Sequence, residues 1–245
     1  MSEILKLKNV GLTYYTKKDE TQALENVSFS ITRGDFVAVV GPSGCGKTTL
    51  LSLISGILTP TFGTIELSGC DLGYMLQRDH LFEWRSIYKN ILLGLEIQKK
   101  LTKENLEHVD SLIEKYGLSQ FKYSHPSQLS GGMRQRAALI RTLALKPDLL
   151  LLDEPFSSLD FQTRMEVCDD VYSIIKKENK TVLLVTHDIS EAISMADKIV
   201  ILSKRPAKVK LIHETHLSHV ASPLKRREDK SFALQFETIW QEINK

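Results

Sequence analysis

The sequence predicts an α/β fold built around a parallel β-sheet. Three short apolar segments without charged residues, at 36–40, 149–152 and 181–186, are typical of strands that are buried on both faces. The first and the second are each followed by a segment with apolar residues at helical spacing. Strands that alternate with helices in this way favour a parallel sheet with helices packed on its faces.

The composition is that of an ordinary globular protein. A chain of 245 residues with 42% hydrophobic residues can bury a sizeable core, and a net charge of +2 gives no basic field that would favour nucleic-acid binding. Three scattered cysteines suit a reducing compartment better than a disulfide framework. The sequence has no apolar run of about 18 residues and no apolar leader, so we expect neither a membrane span nor a signal peptide.

A glycine-rich segment, GPSGCGKTT at 41–49, joins the first predicted strand to the first predicted helix. Glycines without Cβ atoms let the backbone curl around a phosphate, and the following helix adds its positive end. We expect Lys47 to hold the β- and γ-phosphates of a nucleotide and the Thr48 hydroxyl to bind Mg²⁺. The predicted nucleotide-binding residues of this loop are Gly41, Pro42, Ser43, Gly44, Cys45, Gly46, Lys47, Thr48 and Thr49.

Two acidic residues, Asp153 and Glu154, directly follow the second predicted strand. In an open α/β sheet, ligand-binding groups gather at the carboxyl ends of the strands, which is where this pair falls. We expect Asp153 to hold the metal through water and Glu154 to accept a proton from an attacking water. His187, at the end of the third strand, is a candidate at the same edge, although a lone histidine there is more often structural.

A second helix start with the character of an anion site lies at Ser130-Gly131-Gly132, before an amphipathic segment. Serine is a preferred N-cap residue, and the free N–H groups of a first helical turn attract anions. A single nucleotide does not obviously need two such ends from one chain. The residues alone do not decide what the helix N-terminus at Ser130 binds.

With these motifs in place, the sequence resembles the ABC ATPase family over about residues 5–202. Six motifs carry the resemblance, and they occur in the order found in the family. They are the Walker A loop at 41–49, the Q-loop glutamine Gln77 in GYMLQRDHLF, the signature LSGGMRQR from Leu129, Walker B as LLLLDEP, the D-loop SSLD ending at Asp160, and the switch histidine His187.

The resemblance implies a role for each matched residue and names ATP and Mg²⁺ as the ligands. It makes Glu154 the catalytic glutamate, and Gln77 a contact of both Mg²⁺ and the attacking water. It makes Tyr14 the aromatic residue that stacks on adenine, with Tyr15 as the alternative. The predicted catalytic residues are Glu154, His187, Gln77 and Lys47, and the predicted metal ligands are Thr48, Gln77 and Asp153.

The resemblance also explains the second anion site. In this family two ATPase subunits pair head to tail, and each nucleotide lies between the P-loop of one and the signature helix of the other. Ser130, Gly131 and Gly132 would then bind the ATP that Lys47 of the other copy holds. Asp160, in the D-loop, joins the predicted nucleotide-binding set. A closed two-fold homodimer would have two identical sites.

The fold implied is a P-loop NTPase of the ABC ATPase type, with a RecA-like parallel sheet core, an N-terminal antiparallel β-region and a helical subdomain. The β-region is predicted at 4–31, with its turn at 16–22. The whole chain is expected to form one ABC ATPase domain. It comprises a nucleotide-binding core at 1–77 and 148–202, a helical subdomain with the signature motif at 78–147, and a C-terminal tail at 203–245 packed on the core.

Three local features complete this outline. A helix of the helical subdomain is expected to stop at Gly117, and a closing helix is expected to pack Phe232, Phe236 and either Ile239 or Trp240 inward. Between 204 and 230 basic residues, Arg226 among them, outnumber acidic ones. This excess predicts a charged surface that faces either solvent or anionic lipid headgroups.

The family implies a motor subunit that docks on separate transmembrane permease subunits at the cytoplasmic face of the membrane. The segment after the Q-loop would receive the permease, with Phe82, Trp84 and Tyr88 as anchors or as core residues. LFEWRSIYKNILLGLEIQ and LSKRPAKV resemble the nitrate, sulfonate and taurine importer subgroup. That subgroup implies an extracytoplasmic solute-binding protein and a cargo such as nitrate, a sulfonate, taurine or a thiamine-precursor pyrimidine.

Three other functions compete with this one. The chain could be a soluble ABC ATPase that is not coupled to a permease, or the motor of an ABC exporter. A binding-only subunit without chemistry is disfavoured, because Lys47, Asp153, Glu154 and His187 are all present.

Overall fold

The computed structural model describes residues 2–15, 19–217 and 222–245. The strands are β1 (Glu3–Tyr15), β2 (Glu20–Thr32), β3 (Phe36–Val40), β4 (Phe62–Leu67), β5 (Leu72–Met75), β6 (Leu149–Asp153), β7 (Thr181–Val185), β8 (Lys198–Leu202) and β9 (Val209–Glu214). The helices are α1 (Lys47–Ile54), α2 (Ile87–Ile97), α3 (Lys103–Lys115), α4 (Gly131–Leu143), α5 (Phe161–Lys177), α6 (Ile189–Met195), α7 (Pro223–Arg227) and α8 (Phe232–Asn244). Two short 3₁₀ turns lie at Ser119–Phe121 and Pro126–Gln128.

The central sheet has six strands in the order β5-β6-β7-β3-β8-β9. The first five strands run parallel to one another, and β9 pairs with β8 as an antiparallel edge strand. The three strands predicted from the sequence are β3, β6 and β7, and every one of their residues is buried. The predicted α/β fold with a parallel sheet core is confirmed, and this topology brings the ends of β3, β6 and β7 to one edge.

A second, antiparallel sheet has the strand order β2-β1-β4. It contains the β-region predicted at 4–31, but the turn is shorter than predicted, because Tyr15 already pairs with Glu20. Residues 16–18 of that turn lie outside the described residues. Helix α1 packs between the two sheets, since its buried leucines share one core with β1, β2 and one face of the central sheet.

Helices α2, α3 and α4 occupy the segment between β5 and β6, and they pack in one core with α5 on the opposite face of the central sheet. The predicted stop of α3 coincides with a left-handed residue, Gly117, whose φ of 73° suits glycine. The division into core, helical subdomain and tail remains a prediction. The segment predicted as a tail contributes β9 to the central sheet and then helices α7 and α8.

Arg226 anchors α7 to the rest of the molecule. The prediction that it belongs to a charged surface is wrong, because the side chain is fully buried. Its Nη2 donates to the hydroxyl of Tyr172 at 2.7 Å, and its Nη1 donates to the carbonyl of Ser194 at 3.3 Å. The guanidinium therefore joins α7 to both α5 and α6. In α8, Ile239 is the buried residue of the predicted pair, while Trp240 is 54% exposed.

No helix within the described residues combines the length and the apolar character that a bilayer crossing requires.

Candidate functional site

The glycine-rich loop after β3 has the backbone that its sequence predicts. Gly44 and Gly46 have φ values of 71° and 121°, a region that L-residues with side chains rarely adopt. A Cβ atom on Gly46 would also lie 3.0 Å from the Leu24 side chain. Lys47 is only 6% exposed, and its Nζ donates to the carbonyls of Gly41 at 2.9 Å and Pro42 at 3.2 Å. The ammonium group is thus held over the loop by neutral carbonyls.

The predicted metal ligands Thr48 and Asp153 lie side by side. The Thr48 hydroxyl donates to Asp153 Oδ1 at 3.3 Å, and the Tyr74 hydroxyl donates to Oδ2 at 3.4 Å. Asp153 is 4% exposed, and burial raises its pKa above the usual range. Burial likewise raises the pKa of Tyr74 to about 12. The hydrogen-bond partners of this buried carboxylate are hydroxyl groups. A cation between the carboxylate and Thr48 would therefore stabilise its charged form.

Three predicted residues from three different strand ends meet at one carboxylate. Oε2 of Glu154 lies 3.0 Å from Nδ1 of His187 and 3.4 Å from Nε2 of Gln77. The carboxylate is largely buried, whereas the His187 side chain is half exposed. The site can therefore orient a small polar molecule beside Glu154 without closing it off from solvent.

The backbone at Glu154 departs from the strand. Its φ is 44°, a left-handed value, and its N–H donates to the carbonyl of Val185 at 2.8 Å. This turn ends β6 at Asp153 and directs the two acids to different partners. The third strand is shorter than predicted, because β7 ends at Val185 and His187 lies in the turn before α6.

Tyr14, rather than Tyr15, reaches the P-loop helix. The Tyr14 hydroxyl lies 3.2 Å from the hydroxyl of Thr49, and the side chain is 41% exposed, against 69% for Tyr15. A half-exposed ring beside the start of α1 presents a face on which a nucleobase can stack. The geometry therefore favours the first of the two alternatives for adenine binding.

The signature residues start α4 as predicted. Ser130 is the N-cap, and its hydroxyl accepts a hydrogen bond from the N–H of Met133 at 3.3 Å. A Cβ atom on Gly131 would lie 3.0 Å from the Leu159 side chain, and one on Gly132 would lie 2.8 Å from Val167. Gly132 is thus also required for close packing against α5, whereas a Cβ atom at Gly131 would need a small shift of the Leu159 side chain.

Asp160 caps the next helix in the same manner. Its Oδ1 accepts from the N–H of Thr163 at 3.0 Å at the start of α5. Across the described part of the chain, neither Ser130 nor Asp160 forms a hydrogen bond or an ion pair with the loop at 41–49. The P-loop, Glu154, Gln77 and His187 come together within one chain, and the signature end does not join them.

Three residues at the site were not predicted from the sequence: Tyr74, Ser157 and Arg205. Ser157 Oγ lies 3.4 Å from Nε2 of Gln77, and Arg205 Nη2 donates to the Gly44 carbonyl at 2.6 Å. Arg205 thereby lines, together with Lys47 and Glu154, a cavity of about 280 Å³ over the loop. Tyr74 and Arg205 reach the site because β5 adjoins β6 and β8 adjoins β3. The strand order, which the sequence does not show, is what would have predicted these two residues at the site.

The family model described as "ABC transporter" matches residues 24–157, which is more than half of the chain and includes the P-loop, the signature and both acids. This chain belongs to the ABC transporter family. It is an ATP-binding subunit of that family, whose members hydrolyse ATP to power transport. The predicted family and the predicted ATPase activity are confirmed at this level.

Curated relatives of this ABC subunit match it over most of its length. An uncharacterized ABC transporter ATP-binding protein of Bacillus subtilis, YtlC, is 45% identical over 98% of this chain and 95% of its own. The taurine import ATP-binding protein TauB of Jannaschia sp. is 37% identical over 84% of this chain and 80% of its own. The nitrate import ATP-binding protein NrtD of Synechococcus elongatus is 39% identical over 81% of this chain and 76% of its own.

A solved structure shares the architecture of this ABC subunit. The dimeric post-hydrolysis state of the ATP-binding cassette MJ0796, bound to ADP and Pi, superposes with a TM-score of 0.72 at 29% identity. The match covers 86% of this chain and 98% of that one. A structural relative thus exists as a dimer with bound nucleotide products.

Proposed function

We propose that this subunit hydrolyses MgATP at a site completed by a second copy of the chain and thereby powers the import of a small solute. The observation that carries the proposal is the meeting of Glu154, His187 and Gln77 beside the P-loop, within hydrogen-bond distance of one carboxylate. The signature end at Ser130 lacks such a partner in its own described chain, which supports the need for a second copy.

In the proposed reaction the chain binds the triphosphate through backbone N–H groups of the loop and through Lys47. Because the Lys47 ammonium is held by carbonyls rather than by a carboxylate, its charge is available to a phosphate. Glu154 accepts the proton of the attacking water. His187 and Gln77 fix the carboxylate and the water beside it. Tyr14 stacks on the adenine ring.

The residues present fit Mg²⁺. This ion prefers hard oxygen ligands and usually takes only one or two from the protein, the others coming from phosphate and water. Thr48 and Asp153 supply such oxygens 3.3 Å apart. Within the described residues no cluster of three or more acidic, histidine or cysteine side chains could hold a metal alone, which agrees with a shared site. When bound, Mg²⁺ would neutralise phosphate charge; Thr48, Asp153 and Gln77 would hold it.

The second copy would place Ser130, Gly131, Gly132 and Asp160 against the nucleotide of the first. The dimeric state of the MJ0796 cassette supports this arrangement. The N-terminus of α4 offers free N–H groups and a partial positive charge, which suit a γ-phosphate approaching from another chain. ATP would then join two copies, and loss of phosphate would release them.

We expect Ser130→Arg to prevent ATP-driven pairing while leaving nucleotide binding by the single subunit intact. The long side chain would occupy the space at the start of α4 that the second copy's phosphate needs. ATP turnover of the variant is expected to fall by about 100-fold or more, since closure assembles the site. Isothermal titration with ATP and gel filtration with MgATP separate the two effects.

The control for this variant is Ser119→Arg, which adds the same side chain at a 3₁₀ turn away from the signature. Normal turnover by Ser130→Arg would refute the site shared between two copies.

The names of the relatives support a class of cargo. TauB and NrtD are named for taurine and nitrate import, and the segment after Gln77 resembles their subgroup. We therefore propose import of nitrate, a sulfonate, taurine or a thiamine-precursor pyrimidine, with two permease subunits and an extracytoplasmic solute-binding protein. The subunit would lie at the cytoplasmic face of the membrane.

An exposed aromatic pair supports the permease contact. The Phe82 and Trp84 rings lie 4.7 Å apart between centroids, and Trp84 is 75% exposed. Tyr88 is partly buried and packs against the core, so it is less available as an anchor. Large exposed aromatic side chains often anchor protein interfaces.

We expect Trp84→Ala to reduce co-purification of the subunit with its permease by about tenfold or more, because an interface anchor contributes on the order of 2 kcal/mol. The matched control is Trp240→Ala, which removes another exposed ring that stacks on a phenylalanine. Equal recovery of permease with both variants would contradict this docking site. Absence of any multi-span partner with the wild-type chain would instead favour a soluble ATPase.

A further inference from the structure

The turn that carries His187 is fixed by polar groups on either side of the histidine. The hydroxyl of Thr186 accepts a hydrogen bond from the N–H of Asp188 at 3.0 Å and donates to Oε2 of Glu191 at 2.7 Å. Thr186 is 1% exposed and Glu191 is 3% exposed. The two neighbours of His187 in the sequence are therefore joined to each other and to a buried carboxylate on α6.

Glu191 has a second set of contacts, to α5. Its Oε1 lies 3.8 Å from Nε of Arg164, and Arg164 Nη1 lies 3.5 Å from Oδ2 of Asp188. Burial raises the pKa of Glu191 to about 7, and the Asp188 charge adds to this, while the Thr186 hydroxyl and Arg164 oppose it. We name Arg164, Thr186, Asp188 and Glu191 the histidine bracket.

The histidine bracket costs free energy that an apolar cluster would not. A buried carboxylate must be desolvated, and a single cation 3.8 Å away returns only part of that cost. What the histidine bracket provides is a fixed orientation of the turn that carries His187. Hydrogen bonds fix the backbone on both sides of His187 more narrowly than apolar packing would, and His187 is half exposed, with little packing of its own.

We propose that Glu191, acting through the Thr186 hydroxyl, is a positioning residue that keeps Nδ1 of His187 at hydrogen-bond distance from the Glu154 carboxylate. That distance is 3.0 Å, and a displacement of about 1 Å would break the contact. The inference rests on the proposed function, in which the pair of Glu154 and His187 acts in hydrolysis. Arg164 extends the link to α5, the helix that Asp160 caps.

Thr186→Val tests the inference in the full chain with MgATP, because it removes the hydroxyl and keeps the shape. We expect kcat to fall by about tenfold with KM for ATP within about twofold of wild type, since the P-loop contacts are unaffected. Thr186→Ser, which keeps the hydroxyl, is expected to recover most of the lost kcat.

The matched control is Thr215→Val. The Thr215 hydroxyl is fully buried and donates to the carbonyl of Ala196, at the other end of α6. The same chemical change there is expected to lower Tm to a similar extent and to leave kcat unchanged. Equal losses of kcat in both variants would mean that a general loosening of α6 is responsible, and would overturn the inference.

A double-variant cycle tests whether Thr186 affects hydrolysis through His187 or independently of it. If Thr186 acts through the histidine, His187→Ala and His187→Ala with Thr186→Val have the same kcat. A further tenfold loss in the double variant would overturn the inference. If His187→Ala lowers kcat but Thr186→Val does not, only the inference fails. If His187→Ala has wild-type kcat, the proposed role of the histidine fails, and the inference fails with it.

A second pair of variants covers the case in which Thr186→Val does not fold. Glu191→Gln keeps an oxygen that accepts from Thr186, whereas Glu191→Met does not. We expect Glu191→Gln to retain a kcat about tenfold above that of Glu191→Met. Equal values for the two would overturn the inference.

Discussion

Replacement of Glu154 by glutamine is expected to reduce ATP hydrolysis by about 100-fold or more while ATP binding persists. Glutamine has almost the same size and can still contact His187 and Gln77, but its amide cannot accept a proton from water. General-base catalysis contributes about 10²–10⁴-fold to a rate, which sets the scale of the loss. Single-turnover hydrolysis with radiolabelled ATP measures it directly.

The same variant should accumulate as a nucleotide-bound pair. If ATP joins two copies and hydrolysis separates them, a chain that binds but does not hydrolyse stays closed, and gel filtration with MgATP should show a dimer. Glu166→Gln is the control, because it removes an exposed carboxylate from α5. A Glu154→Gln variant that stays monomeric with ATP would contradict the head-to-tail arrangement, and one with wild-type turnover would contradict the base assignment.

Replacement of Lys47 by alanine is expected to weaken ATP binding itself, by about 10- to 100-fold, the range for loss of a charge-assisted hydrogen bond. The effect should be large because Lys47 is 6% exposed and its ammonium donates to carbonyls of its own loop. Isothermal titration with ATP and with ADP measures it, and the loss should be greater for ATP.

Two further variants separate charge from structure at this position. Lys47→Met keeps the aliphatic stem and should bind ATP as weakly as Lys47→Ala if the charge is what matters. Lys103→Ala removes a lysine whose side chain is 92% exposed, and it should bind ATP normally. An unchanged ATP affinity in both Lys47 variants would show that the nucleotide is held elsewhere.

The parts of the site that could be predicted from the sequence are local in the chain. The glycines and the apolar spacing within and after 41–49 predict the turn of the P-loop and the helix that follows it. Asp153 and Glu154 directly follow an apolar strand, so a short segment is enough to predict their place at the strand end. The signature glycines were predicted for their exposed N–H groups, but Gly132 also has to be small, since a Cβ atom would meet Val167 at 2.8 Å. That second requirement depends on how α4 packs on α5.

The parts that could not be predicted depend on pairing between distant segments. Tyr74 contacts Asp153 only because β5 adjoins β6, and Arg205 reaches Gly44 only because β8 adjoins β3. Arg226 has the composition of a surface residue, yet α7 carries it into the space between α5 and α6. Periodicity and composition do not encode such neighbours.

The buried guanidinium of Arg226 has a practical consequence for engineering this subunit. A truncation placed before α7 would remove Arg226 and with it the hydrogen bonds that join α7 to α5 and α6. The last segment is therefore not dispensable. Affinity tags and fluorescent labels should therefore not be placed in exchange for the segment that carries α7 and α8.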